Sequence, residues 1–181
     1  MSYSEQDGRV ILEMSREEKS SRQLRIRRCQ PSESLATKRW VALHHYLKCA
    51  PPVFAFILEF YERATLVGAH IWGRPQAVKM YDPEHVLQLY RVFFIDDTEH
   101  CVESQALAMA RKYIRTWTPA IRLVLSYSDP SVGHDGTIYD ADGWCQLGKT
   151  RKRSDYGFQT HKGRARTVKD ISAKARWVRT P

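Results

Sequence analysis

The alternation of apolar and polar positions along the chain divides it into short, well-separated elements. Met1 to Ser21 is polar, with Glu17, Glu18 and Lys19 set among serines, and offers no face to bury, so residues 1–21 are expected to be a flexible N-terminus. Gln23 to Cys29 alternates, with Leu24 and Ile26 on one side, and predicts a first strand. Pro31 to Ser34 reads as a loop and N-cap ahead of a helix whose core positions would be Leu35, Trp40 and Leu43. That helix is expected to end at His44-His45-Tyr46, before the Pro51-Pro52 break.

Val53–Phe60 and Leu66–Trp72 are rich in strand-forming residues and are separated by a polar turn, the pattern of a hairpin. Gln88–Asp96 predicts a central strand. Glu103–Trp117 carries Leu107, Ala110, Ile114 and Trp117 on one stripe with Arg111, Lys112 and Arg115 opposite, an amphipathic helix that Pro119 stops. Ile121–Tyr127 is nearly all apolar and so reads as a strand buried on both faces. A glycine-containing loop, a short helix near Thr137–Ala141 and a final strand at Trp144–Leu147 complete the order β-α-β-β-β-α-β-α-β. The expected fold is a single α/β (α+β) domain over residues 22–148, a mixed central sheet with helices on both faces.

Size and composition agree with one globular domain: 181 residues, 43% hydrophobic. The longest purely apolar run is Val53–Leu58, far below the roughly 20 residues of a membrane span, and the polar start has no signal-peptide core. A cytoplasmic protein with no membrane partner is therefore expected. Cys29, Cys49, Cys101 and Cys145 occur singly, without the paired spacing of a zinc site, and read as free thiols.

The net charge of +9 is unevenly placed. Lys149 to Pro181 holds eleven Lys and Arg against Asp155 and Asp170, which accounts for the whole excess and leaves eighteen of each sign upstream. A neutral body with a basic extension is the layout of a nucleic-acid binder, because Lys and Arg release counterions condensed on phosphates. Residues 149–181 are expected to be a DNA-contacting tail acting through Arg151, Lys152, Arg153, Lys162, Arg164 and Arg166, with Tyr156, Phe158 and Trp177 available to stack on bases. The plain alternative is a solvated basic tail.

Three polar clusters close apolar elements, where sites tend to be built. His44-His45-Tyr46 ends the first helix. Ser126-Tyr127-Ser128-Asp129-Pro130 ends the most apolar strand, and Pro130 holds Asp129 extended. That carboxylate could act as a base, a metal ligand or a turn residue. Gly133 to Trp144 places two glycines where backbone can approach a ligand, and Tyr139 on the short helix.

The segment from Gly133 to Gly148 resembles the last conserved block of GNAT acyltransferases. More closely, HHY (44–46), LYRVFFIDD (89–97), ESQALA (103–108), VLSYSDP (124–130) and GHDGTIYDADGW (133–144), in this order, resemble the Mom family of phage DNA-modification proteins. The resemblance runs from about Trp40 to Lys149 and implies a GNAT-like fold. It also implies a transferase that converts adenine in double-stranded DNA to N6-carbamoylmethyladenine and protects phage DNA from host restriction. It makes His45, Tyr46, Asp129 and Tyr139 the catalytic candidates, with His45, Tyr46 and Asp129 as a possible iron site. Arg91, Ser104 and Ser126 become candidate donor-binding positions.

One departure stands out: Asp96–Ser104 (DDTEHCVES) lacks the glycine-rich pyrophosphate loop of GNAT enzymes, which counts against acetyl-CoA and leaves the acyl donor open. The implied partners are double-stranded DNA and a small-molecule group donor, with a homodimer as a further possibility. An acetyl-CoA-dependent N-acetyltransferase and a non-catalytic DNA-binding protein are the competing readings.

Overall fold

The computed structural model describes residues 23–76, 81–151 and 172–181, with the backbone of two further strands near the start. Those two, β1 (Ser2–Gln6) and β2 (Arg9–Glu13), pair antiparallel as a separate two-stranded sheet, so the stretch expected to be flexible contains a hairpin.

The main body is one seven-stranded sheet. Its strands are β3 (Leu24–Arg28), β4 (Phe56–Glu62), β5 (Thr65–Gly73), β6 (Val86–Phe94), β7 (Leu123–Ser128), β8 (Cys145–Lys149) and β9 (Ala175–Arg179). Their spatial order is β3-β4-β5-β6-β7-β9-β8, and every neighbouring pair is antiparallel except β6 with β7. Among the described residues the helices are α1 (Ser34–His44), α2 (Val102–Trp117) and α3 (Thr137–Ala141), with a 3-10 turn at Pro130–Val132. The expected mixed sheet with a helix on each face is thus present.

The larger core lies between the sheet and α2. Ala106, Leu107, Ala110 and Ile114 are fully buried against Leu58, Phe60, Trp72 and Val124. Burying each Leu or Ile stabilises the fold by roughly 2 kcal/mol. Gly68 faces Phe94 across the β5–β6 ladder, and a Cβ there would lie 2.2 Å from the Phe94 ring, so glycine is what lets the aromatic cross the strand. The α2 stripe agrees with the sequence pattern except at its end, where Trp117 is 69% exposed.

The second core, beneath α1, corrects the sequence reading. Leu35 and Leu43 are exposed and Trp40 only half-buried, while Thr37 and Val41 are buried. The helix turns its Thr37 hydroxyl inward because it donates to the buried Glu59 carboxylate at 2.5 Å. Glu59 also accepts from Arg27 and from the Tyr61 hydroxyl, tying α1, β3 and β4 together.

The second correction concerns the C-terminal segment. Ala175–Arg179 is a strand inserted between β7 and β8, so residues 149–181 are not simply an extension beyond the sheet. Trp177 is buried, stacks on Tyr139 and donates its indole N–H to Ser128, so it is core rather than a base-stacking residue. Trp144–Leu147 is likewise not the last strand.

Candidate active site where the parallel strands part

β6 and β7 pair over only three positions, Val86 with Leu123 to Gln88 with Leu125. Beyond them the ladder stops although both strands continue. The β5–β6 register shifts at the same level, because Ile71 faces Arg91 while Trp72 faces Leu89, leaving Tyr90 as an extra residue on β6. A bulge bends its strand and re-aims the neighbouring side chain. The opened notch is bridged by a buried pair, Ser126 Oγ with Tyr139 Oη at 2.8 Å, and by the Ser126 hydroxyl donating to the Leu89 carbonyl at 3.4 Å. Burial pushes the Tyr139 phenol up to about 12, so it stays protonated.

Three loops converge here. α1 releases the chain at His45, which is extended (φ −65°, ψ 141°) while its N–H still donates to the Val41 carbonyl. That exit swings Tyr46 off the helical path, so its ring stacks on His45 with centroids 4.4 Å apart and meets His134 from the far loop at 4.6 Å. His45 is buried, and its Nδ1 accepts the Leu47 N–H at 3.1 Å, which places the ring proton on Nε2. Burial first, then the Arg91 charge, with smaller effects of His134 and Lys48, lowers its pKa to about 4, so the ring is neutral near pH 7. Arg91 donates to the Tyr90 and Cys49 carbonyls.

At the end of β7, Asp129 is buried with every oxygen engaged. Oδ1 accepts from the Ser131 N–H (3.1 Å), the Ser131 hydroxyl (2.6 Å) and the Ser172 hydroxyl (3.0 Å), and Oδ2 accepts from the Lys174 ammonium. Burial acts to raise its pKa, but these donors outweigh it and hold the carboxyl below the usual carboxylate range. The Tyr46 phenol is raised by burial and by the Asp129 charge, with Arg91 opposing.

The structure therefore brings His45, Tyr46, Arg91, Asp129, Ser126 and Tyr139 to one end of the β6–β7 notch. Ser104 is apart from them, in the first turn of α2, with its hydroxyl returned to the Cys101 carbonyl at 2.9 Å. Gly136 (φ +95°) approaches Trp177 rather than an open space: a Cβ there would lie 2.3 Å from the indole. Tyr127 points to the opposite side, packed with Leu125 and Val178. Arg151 is exposed just after β8, and Lys152, Arg153, Lys162, Arg164 and Arg166 lie outside the described residues.

Sequence reasoning missed Lys174, Ser172 and His134. The first two are more than 40 residues from Asp129 in the chain. The signal that could have found them is the alternation Ala175-Arg176-Trp177, which marks a strand adjoining Lys174.

An iron held by His45, Tyr46 and Asp129 does not fit this arrangement. An ammonium already neutralises the carboxylate that would have to bind the cation, and His45 Nδ1 is used by a backbone N–H. Among the described residues, the group whose ligand atoms all lie within 4.8 Å of one another is Cys29, Glu33 and Glu59, at the β3 edge. There Arg27 occupies Glu59, and burial pushes the Cys29 thiol up to about 11, away from the thiolate a metal needs.

A sheet whose only parallel pair parts beside an aromatic and cationic cluster is the GNAT architecture, and solved structures bear this out. An N-acetyltransferase from Staphylococcus aureus Mu50 superposes with a TM-score of 0.57 at 13% identity, over 87% of this chain and 97% of that one. A ribosomal-protein-S5-alanine acetyltransferase from Vibrio fischeri gives 0.59 at 10% identity, over 87% and 92%. A GNAT-like decarboxylase solved with isobutyryl-CoA gives 0.60 at 16% identity, over 86% and 98%. Within that fold the sequence is more specific. The profile of the Mom protein family matches residues 23–180, and the chain belongs to that family. The methylcarbamoylase Mom of Escherichia phage Mu is 29% identical over 98 residues, which take in 50% of this chain and 41% of that protein.

Proposed function

We propose that the protein is a DNA-modifying transferase that converts adenine in double-stranded DNA to N6-carbamoylmethyladenine, protecting phage DNA from host restriction. The observation that carries the reading is the meeting of His45, Tyr46, Arg91 and Asp129 at the parted strands of a Mom-family chain. Adenine N6 is hidden in the duplex and weakly nucleophilic, so the base must leave the stack and be held against an aromatic wall. Tyr46, between His45 and His134, supplies that wall. Asp129 accepts the N6 hydrogen bond and fixes the amine's direction. Its depressed pKa suits an acceptor that stays charged better than a strong base. Neutral His45 offers its Nε2–H as a donor, and Arg91 pairs with the electron-rich end of the group donor. Arg151, with Lys152, Arg153, Lys162, Arg164 and Arg166, holds phosphates beside the flipped base.

The loop where GNAT enzymes hold pyrophosphate carries Asp96, Asp97 and Glu99, all exposed, and no glycine. Three carboxylates repel a diphosphate, which favours a donor other than a CoA thioester.

Expression in a bacterium tests the reading: nucleoside mass spectrometry should show a deoxyadenosine heavier by one carbamoylmethyl group. Unmodified DNA in cells holding abundant folded protein overturns it. The competing N-acetyltransferase reading draws on the shared fold; it predicts acetyl-CoA binding in calorimetry, where this proposal expects no heat.

A further inference from the structure

The upstream body is neutral in sum but not in space. From Gln23 to Ala50 there are six Lys and Arg against one acid, Glu33, whereas Asp96 to Ser104 holds four acids and no Lys or Arg. Half of that positive share lies on α1 and its exit. From Ser34 to Ala50 there is no carboxylate, and Lys38, Arg39 and Lys48 have no ion-pair partner among the described residues. At the N-terminal end of the helix, Lys38 lies over Phe54, on one wall of a cleft of about 460 Å³. At the other end the Lys48 ammonium is bonded to the Leu43 carbonyl at 2.8 Å. Between them Arg39 sits on the solvent face with Leu35 and Leu43 one turn to either side, these leucines 56% and 67% exposed.

We infer that the outer face of α1 is a second DNA-docking surface, on which Lys38, Arg39 and Lys48 track the phosphates of a duplex. This rests on the DNA reading above and names where the body itself meets that partner. Three observations carry it. The helix and its exit carry Lys38, Arg39 and Lys48 with no acid from Ser34 to Ala50, a charge that an anionic partner complements. The helix is about 16 Å long, enough to lie along several phosphates. It also ends at His45 and Tyr46, so a duplex lying on it presents its bases at the site. The exposed leucines suit the same occupant, because apolar side chains contact sugars and wedge into base steps where DNA is opened. The body and the basic C-terminal stretch then hold the duplex from two places.

The test is fluorescence anisotropy of a short labelled duplex against salt, with the full chain. For Arg39→Glu/Lys48→Glu, two exposed positions, the slope of log affinity against log salt should fall by about two, near 0.9 per lost phosphate contact, with affinity at low salt down at least ~10-fold. Lys112→Glu/Arg115→Glu on the exposed face of α2 makes the same change in net charge and should bind like the parent. Melting curves of both variants should match the parent. An unchanged slope in the α1 variant, or equal losses in the two variants, overturns the inference while leaving the DNA reading intact. A parent chain that fails to bind the duplex overturns both.

Discussion

Glu59 and Asp129 are each 2% exposed, and each carboxylate meets one cation and two hydroxyls, yet their surroundings differ. The partners of Glu59 come from β3, α1 and β4, elements that share one edge of the sheet, and its guanidinium is held a second time by Glu33 at 3.0 Å. Every group there is spent on joining those elements. Asp129 is instead held by a lysine and a serine from the far side of a long connection. Beyond it lie Tyr46, Arg91 and an exposed His134, which come from the α1 exit, β6 and the loop after β7. Burial and ion pairing are common to the two carboxylates; the company beyond the first partners is what makes Asp129 the candidate for function.

The comparison breaks most sharply on activity. Asp129→Asn should lower DNA modification per folded molecule by at least ~100-fold, the scale of losing a positioned polar group in a reaction of this kind. Glu59→Gln should leave modification per folded molecule near the parent's while lowering unfolding free energy by about 2 kcal/mol, the scale of charge-assisted hydrogen bonds. Nucleoside analysis normalised to folded protein by circular dichroism reads both. Equal loss in the two variants would erase the distinction.

A smaller effect separates histidines from carboxylates by pH. His45 and His70 are buried neutral, their pKa values lowered to about 4 and about 3, by burial above all. Between pH 6.5 and about 4 the unfolded chain binds protons there that the folded chain does not, so stability should fall as pH drops through that window. Asp129 and Glu59 have depressed pKa values, so their contribution persists above about 4 and is lost only below it. Urea unfolding at several pH values should show the decline beginning near 6.5; a flat profile down to pH 4.5 contradicts the burial of both rings.

The smallest change expected is at His70. Its ring lies among Phe60, Trp72 and Phe94 with both nitrogens unpartnered. His70→Leu removes two unsatisfied polar atoms at a modest change in shape, and should alter stability at pH 7 by under about 1 kcal/mol while roughly halving the acid slope. A large loss at pH 7 would show that the imidazole holds the core.

The elements with a clean apolar period were legible in the sequence, and those built on polar partners were not. The stripe Leu107, Ala110, Ile114 fixed the inner face of α2 because only van der Waals packing lies beneath it. On α1 the same reading chose Leu35 and Leu43, since periodicity cannot show that Thr37 turns inward to serve a carboxylate from β4. β9 went unread because its arginines were counted as charge, although Ala175, Trp177 and Val178 bury a strand's worth of surface between them. His45, Tyr46 and Asp129 were found through family resemblance. The residues alone left Asp129 open as a base, a metal ligand or a turn residue, and the turn is there as well, in the Ser131 N–H to Asp129 bond.

The placement of β9 changes what the basic stretch is. Thr150 donates its N–H to the Lys174 carbonyl at 2.8 Å and accepts the Lys174 N–H on its hydroxyl at 2.9 Å, so the two ends of the basic segment are pinned side by side. Bringing those two ends together is an entropic cost already met when the sheet forms. A truncation before residue 150 would therefore not clip off an appendage. It would pull a central strand, with Trp177, out of the sheet, and only an internal excision that rejoins the two ends could ask what the segment itself contributes.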